Sequence, residues 1–390
     1  MKRCFGWAML LLPWSVSAQQ AKAGVVPTPY HCSGAPDPAA GPLPDSILRP
    51  SAPLVAKPSP VRGLYVNRWA ALGTRMWGLI GLGRTTEVNA LVIDVKDDRG
   101  FVLYRSRVPL AREIGADTNM PMRPERLRAV LDSMRSHDIY PIARIVVVKD
   151  PLLASKRVEW SIKRRDSPAQ PWLDKTGRPW LDAHQDGPWA YAADLACEAV
   201  DLGFSEVQLD YVRFPDERRL IREAIFPLAQ GRPRAQVIHD QLSLLRERLR
   251  PLAVPITADI FGLVTSDTTD MGIGQRLEQM VTAVDAVLPM MYPSHYAPGS
   301  YGFATPNAHP YQVIDHGLKD AQRRIARLAG PARIVPWYQA FTLGAPHYGD
   351  AAVRAQMKAG YDNGVMGWML WNPGSRYGSG SLEPKLPSAR

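Results

Sequence analysis

Cysteine is scarce in this chain, with three in 390 residues. Cys4, Cys32 and Cys197 form no C-x-x-C pair, which excludes a zinc ribbon and a disulfide-dense small domain. Histidines at metal-ligand spacing are also lacking. His184 and His295 stand singly, so no metal site and no cofactor is expected. A nucleotide fingerprint is missing: the glycines of "GLIGLGRTTE" (78–87) fall inside a helical pattern, not between a strand and a helix. Beyond the first twenty residues no apolar run is long enough to span a bilayer. Acidic residues are outnumbered, 37 against 47 Lys and Arg, for a formal charge of +10. The basic residues are scattered, with short clusters at 163–165 and 323–324. No basic stripe interleaved with exposed aromatics marks a nucleic-acid surface. A basic solvated surface suits an anionic glycan or an anionic envelope surface.

What is present begins with a secretory pattern. Lys2 and Arg3 precede an apolar core from Cys4 to Trp14, and Val16-Ser17-Ala18 is a small-residue cleavage site. An exported protein, periplasmic or extracellular, starting near Gln19 and without a membrane span is expected. Residues 19–60 are rich in Pro, Ala, Gly and Ser without periodicity and read as a flexible leader. Residues 378–390 read as a flexible tail. Cys197 lies in a helical pattern and reads as a small buried apolar residue, although export permits a disulfide.

Between them, over 61–377, strand and helix patterns alternate. Strands are expected at 61–69, 90–98, 140–150, around 207–211, 255–264, 286–296, 333–341 and 364–373, with helices between them. Strand–helix alternation implies parallel strands with right-handed crossovers. Eight such units predict an α/β fold, a (β/α)8 TIM barrel in one domain, over a doubly wound sheet.

Barrel chemistry collects at the C-terminal strand ends. In "GFSEVQLDYVRFPDE" (203–217), Val207, Leu209 and Tyr211 alternate with Gln208 and Asp210, so a carboxylate ends an apolar strand. A charge there is costly unless paired or functional. Carboxylates recur on strand two (Asp94, Asp97, Asp98) and strand five (Asp259). Lys96, Arg144, Gln208 and Arg213 add polar partners. Tyr292, His295, Trp337, Gln339, Trp368 and Trp371 gather on strands six to eight. Pyranose rings pack apolar faces on Trp and Tyr, and glycoside cleavage needs paired carboxylates. A sugar site is therefore expected. Helix capping and turn closure are the plainer readings of Asp97, Asp98 and Asp150. One or two of the aromatics are expected in the barrel core.

These motifs resemble a known family. "NALVIDVKDDRGFVLYRSRVPLAREIGA", "IARIVVVKDPLLA", "GFSEVQLDYVRFP", "ITADIFG", "PMMYPSHY" and "GWMLWNP" look like the bacterial glycoside hydrolase-like proteins grouped as DUF4015, over roughly 61–377. The resemblance implies a TIM-barrel glycosidase and no particular substrate. It places Asp210, with Gln208 and Arg213, where many barrel glycosidases hold a catalytic carboxylate. Asp94, Lys96 and Asp97 match the family's "DVKDD" run, and Asp259 its "ADVFG" run. Where such proteins often read "WVDPYN", this chain has "WLDAHQD" (180–186), which argues against a role for Asp182 or His184.

Asp210 is thus expected as nucleophile or charge-stabilising carboxylate. Asp259 is the first candidate for general acid and Asp94 the second, with Arg213 keeping one carboxylate ionised and Lys96 orienting another. Two rivals stand beside this reading. One is a non-catalytic glycan-binding barrel of the envelope. The other is a metal-assisted hydrolase with Asp94, Asp210 and Asp259 as oxygen ligands.

Overall fold

A computed structural model describes residues 54–385. The expected signal segment, and the leader as far as residue 53, lie outside the described residues. Eight parallel strands close into a barrel. In chain order they are β1 (Arg62–Val66), β2 (Ala90–Lys96), β3 (Tyr140–Val146), β4 (Glu206–Asp210), β5 (Ile256–Phe261), β6 (Ala286–Met291), β7 in two pieces (Arg333–Ile334 and Trp337–Gln339) and β8 (Trp368–Trp371). β8 pairs with β1, and the second piece of β7 pairs with both β6 and β8, which closes the ring. β7 breaks at Pro336, which has no N–H to give a ladder. Long helices over Arg75–Thr85, Pro124–Arg135, Asp186–Leu202, Arg234–Leu249, Pro310–Ile325 and Asp350–Asp362, with a shorter one at Leu277–Ala283, connect successive strands. Proline opens two of them, where the missing N–H costs nothing. Gly203, at φ +114°, ends the Asp186–Leu202 helix in the left-handed conformation that favours glycine.

Strand alternation sorts the side chains into two layers. Leu64, Val66, Leu91, Ile93, Val95, Val207 and Leu209 pack outward against the helices. Tyr65, Val92, Ile142, Leu288, Trp337 and Met369 fill the interior. Gly63 leaves room for Met369: a Cβ there would lie 2.3 Å from its sulfur. On β4 the inward residues are Glu206, Gln208 and Asp210, all buried.

Two connections are longer than the pattern suggests. Those after β3 and β4 meet in an antiparallel ribbon of Lys163–Arg164 with Ala224–Ile225. They are tied by Trp172 Nε1 to the Leu220 carbonyl (2.9 Å) and by the Lys175 amide to Glu217 (2.8 Å). Together they raise one wall above the barrel mouth.

The expected domain limits shift at both ends. Residues 54–60 close the N-terminal end of the barrel. The Val55 amide reaches Ser205 Oγ at 3.0 Å, and Lys57 pairs with the buried Glu206 at 2.5 Å. Residues 382–385 also dock, with Leu382 buried and the Lys385 amide bonded to the Thr85 carbonyl at 3.0 Å. Both segments lack periodicity because each is anchored by a few isolated contacts. Cys197 is buried, as expected of its helix, and disulfide-bonded as well. Cys4 and Cys32, the other two cysteines, lie outside the described residues.

Candidate active site

The register of β2 to β5 brings four interior charges together at the C-terminal end of the barrel. Asp94 stands opposite Arg144, and Arg144 opposite Gln208. Leu209 is level with Ala258, so Asp210 and Asp259, one residue further along each strand, come side by side. Arg144 is the hub. Its Nη1 donates to Asp94 Oδ1, and its Nη2 and Nε (3.2 Å) both donate to Asp210 Oδ2. Nε also lies 3.8 Å from Asp259 Oδ2. The guanidinium is held against the rings of Tyr65 and Trp371, at 5.3 and 5.2 Å, which stack on each other at 3.8 Å.

Each carboxylate has further donors. Asp94 accepts the Tyr65 hydroxyl at 2.6 Å. Asp259 Oδ1 accepts Gln208 Nε2 at 2.6 Å and Trp337 Nε1 at 2.7 Å. Asp210 Oδ1 takes the amide of Tyr211 at 2.5 Å. That last bond requires Tyr211 to turn back sharply, at φ +52°, a left-handed conformation uncommon for an aromatic residue. Backbone strain beside a buried carboxylate belongs more often to a working site than to packing.

Burial raises two of the carboxyl groups. Desolvation pushes Asp94 up to about 6, against the pull of Arg144 and Tyr65. Asp259 is held well above the ordinary carboxylate range, first by burial and then by the charge of Asp210. The same two causes strengthen the hold of Asp259 on a proton. A buried carboxyl group with raised affinity for its proton suits the acid role of a carboxylate pair.

Above this floor lies a cleft of ≈ 550 Å³. Arg144, Asp210, Tyr292, His295 and Trp371 line it, together with Arg213 and Asp216 on the wall after β4. Asp94 and Asp259 sit beneath the lining, and Asp210 is the carboxylate of the floor that reaches it. The Tyr292 hydroxyl and Gln208 Oε1 are buried and have no hydrogen-bond partner among the described residues. Burial, and then the charges of Asp259 and Asp210, oppose ionisation of Tyr292. His295 packs edge-on to Tyr292 at 5.4 Å, and burial lowers its affinity for a proton.

Several expected site residues lie elsewhere. The β2 register shifts between Asp94 and Lys96. This takes Lys96 off the interior face, to a fully buried pair with Asp150 at 2.6 Å and to the Tyr191 ring. Asp97 closes a turn by accepting the amides of Arg99 and Phe101, both at 3.0 Å. Trp368 faces outward on β8 and donates to Tyr361 on a helix. Trp337 is buried and acts on Asp259, and Gln339 is buried and joins Ser294 to Phe341. Arg213 does not touch Asp210. Its Nη1 serves the Phe214 carbonyl and Asp216. Arg144, expected among the polar partners of the strand-end carboxylates, is the cation that holds them. Two contributors were missed, Tyr65 and Asp216. Tyr65 had a signal in its inward parity on β1. Asp216 had none, since the loop path alone brings it to the cleft.

The domain family DUF4015, described as "Putative glycosyl hydrolase domain", matches residues 63–377. A search of curated proteins returns no match. Among solved structures, the PgaB (BpsB) glycoside hydrolase domain from Bordetella bronchiseptica aligns with a TM-score of 0.57 at 14% identity, covering 81% of this chain and 95% of that one. Alpha-L-fucosidase isoenzyme 2 from Paenibacillus thiaminolyticus aligns at 0.55 and 13% identity, over 83% of this chain and 47% of that one. At these identities the likeness concerns the fold. A hypothetical protein from Ruminiclostridium thermocellum is 34% identical over 50% of this chain and 96% of its own, with a TM-score of 0.45.

Proposed function

The chain belongs to the DUF4015 glycosyl hydrolase family, and from that premise we propose that it is an exported enzyme that cleaves an envelope or extracellular glycan with paired carboxylates. The observation that carries this reading is the position of Asp210 on the cleft floor beside a second, fully buried carboxyl group, Asp259, whose affinity for a proton is raised by burial and by the charge of Asp210. Asp210 attacks or stabilises the anomeric centre, and Arg144 and the Tyr211 amide fix its orientation. Asp259 holds the proton of the pair, steadied by Gln208 and Trp337. Trp371, Tyr292 and His295 offer ring faces and edges to the sugar. Export is supported by the N-terminal signal pattern and by the disulfide at Cys197, a bond that persists in oxidising compartments. The metal-assisted alternative needs Asp94, Asp210 and Asp259 as ligands, and these are already committed to Arg144, Tyr65, Gln208 and Trp337.

Turnover of a polysaccharide panel, read as new reducing ends with and without chelator, tests the reading. Cleavage that survives chelator supports it. Binding without cleavage supports the non-catalytic barrel, and loss to chelator supports the metal route. The acid is identified by comparing Asp259→Asn, Asp94→Asn and Asp216→Asn. The variant of the true acid keeps activity on aryl glycosides whose leaving group needs no protonation.

A further inference from the structure

The floor of the cleft is nearly self-neutralised, but its wall is not. Asp210 is paired with Arg144, and Asp216 with Arg213. Lys175 and Arg218, exposed on the same wall, form no ion pair within 4 Å among the described residues. Arg218 acts on Asp267 only at longer range. Glu217, the nearby acid, is turned to the Lys175 amide at 2.8 Å.

Arg213 is the built part of this wall. Its side chain is nearly buried, and its guanidinium is wedged among the rings of Phe261 (4.5 Å), Tyr211 (4.8 Å) and Trp180 (5.2 Å). Nη1 is spent on the Phe214 carbonyl at 3.0 Å and on Asp216 at 3.2 Å. Nε and Nη2 meet no acceptor among the described residues, and neither is an enclosed, unpartnered atom. These two nitrogens form the side-on fork of arginine, which grips a carboxylate through two parallel hydrogen bonds. A guanidinium fixed by stacking loses little freedom when it binds. That edge is open to solvent at the cleft, so a ligand anion can take it without displacing a protein partner.

We propose that Arg213, flanked by Lys175 and Arg218, is a subsite for the carboxylate of an acidic sugar, so that the substrate class is a uronic-acid-containing glycan. This rests on the glycan-cleaving reading of the cleft and adds the sugar's charge to it. The fork takes the carboxylate of one residue, and the flanking cations draw in the neighbouring acidic units of the chain.

The test pairs oligogalacturonates, oligomannuronates and oligoglucuronates with their carboxyl-reduced counterparts. Binding is measured by calorimetry on the Asp210→Asn protein, and turnover on the unaltered chain. At least one acidic member binds about tenfold tighter than its reduced partner, the scale of a charge-assisted two-point contact, and added salt narrows the gap. Arg213→Gln abolishes the preference for the acidic member of each pair. The surface double variant Lys175→Ser/Arg218→Ser, which touches no packing, weakens acidic binding several-fold. Equal affinity within every pair overturns the proposal, as does a preference that survives in both variants. If reduced glycans are cleaved with no acidic preference, this inference falls and the hydrolase reading stands. If neither kind binds nor is cleaved, the hydrolase reading falls and takes the inference with it.

Discussion

Arg144 donates from both Nε and Nη2 to a single oxygen of Asp210, Oδ2, while the other oxygen takes the Tyr211 amide. Asp210 is therefore oriented from two sides by donors alone. Asp210→Asn cannot satisfy both, because its NH₂ end must face either the guanidinium or the amide. We expect stability to fall by about 1–3 kcal/mol from this donor–donor contact. Turnover should fall by several orders of magnitude, about 4–7 kcal/mol in barrier. Urea unfolding and reducing-end assays on the folded fraction separate the two. Activity within tenfold of the parent would remove Asp210 from the chemistry.

Arg144→Met leaves Asp94, Asp210 and Asp259 facing one another with no cation between them. Breaking such a buried network costs about 3–5 kcal/mol. The loss should be greatest at alkaline pH and partly recovered on acidification, since protonation relieves the repulsion. Unfolding curves at acidic and alkaline pH check this. A pH-independent loss would mean that the side chain acts only by packing.

Glu198 lies behind the barrel wall, where it accepts the Ser106 hydroxyl at 2.6 Å and the Arg107 amide at 2.5 Å. Burial is the main cause that pushes it from 4.5 up to about 7. Its folded pKa is raised, so between these values the native state holds a proton that the unfolded chain has released. Stability from this group is thus full below pH 4.5 and is lost as pH rises toward 7. The loss is at most about 3 kcal/mol. Glu198→Gln keeps both contacts without the charge, so it should flatten the stability profile across that window. A parallel profile would show that Glu198 does not titrate there.

Lys57 reaches the buried Glu206 at the opposite end of the barrel from the cleft. Lys57→Met strands that carboxylate and should lower stability by about 1–3 kcal/mol, without changing the Michaelis constant on any cleaved glycan. The reading of residues 19–60 as a flexible leader thus does not extend to 54–60. An unchanged melting point for Lys57→Met would restore it.

The barrel was legible because its signals are local. Period-two runs such as Val207, Leu209 and Tyr211, proline-led helices and the strand–helix alternation each lie within a dozen residues, and each is dictated by burial on one or two faces. Parity along β4 also placed Gln208 and Asp210 on one interior face. Pairing across strands was not legible, because it depends on register. Asp259 was identified by its place on β5, but its partners Gln208 and Trp337 come from β4 and β7. Arg213 follows Asp210 by three residues and looked like its counterion. The turn at Tyr211 carries it onto the cleft wall, and Arg144, 66 residues before Asp210, fills that role. Lys96 shares a motif with Asp94, and one irregularity in β2 moves it out of the site. The sequence by itself determined which residue types stand at the strand ends. Only the tertiary structure decided which of them meet, because an ion pair between strands is set by register and loop path, and neither leaves a periodic trace in the chain.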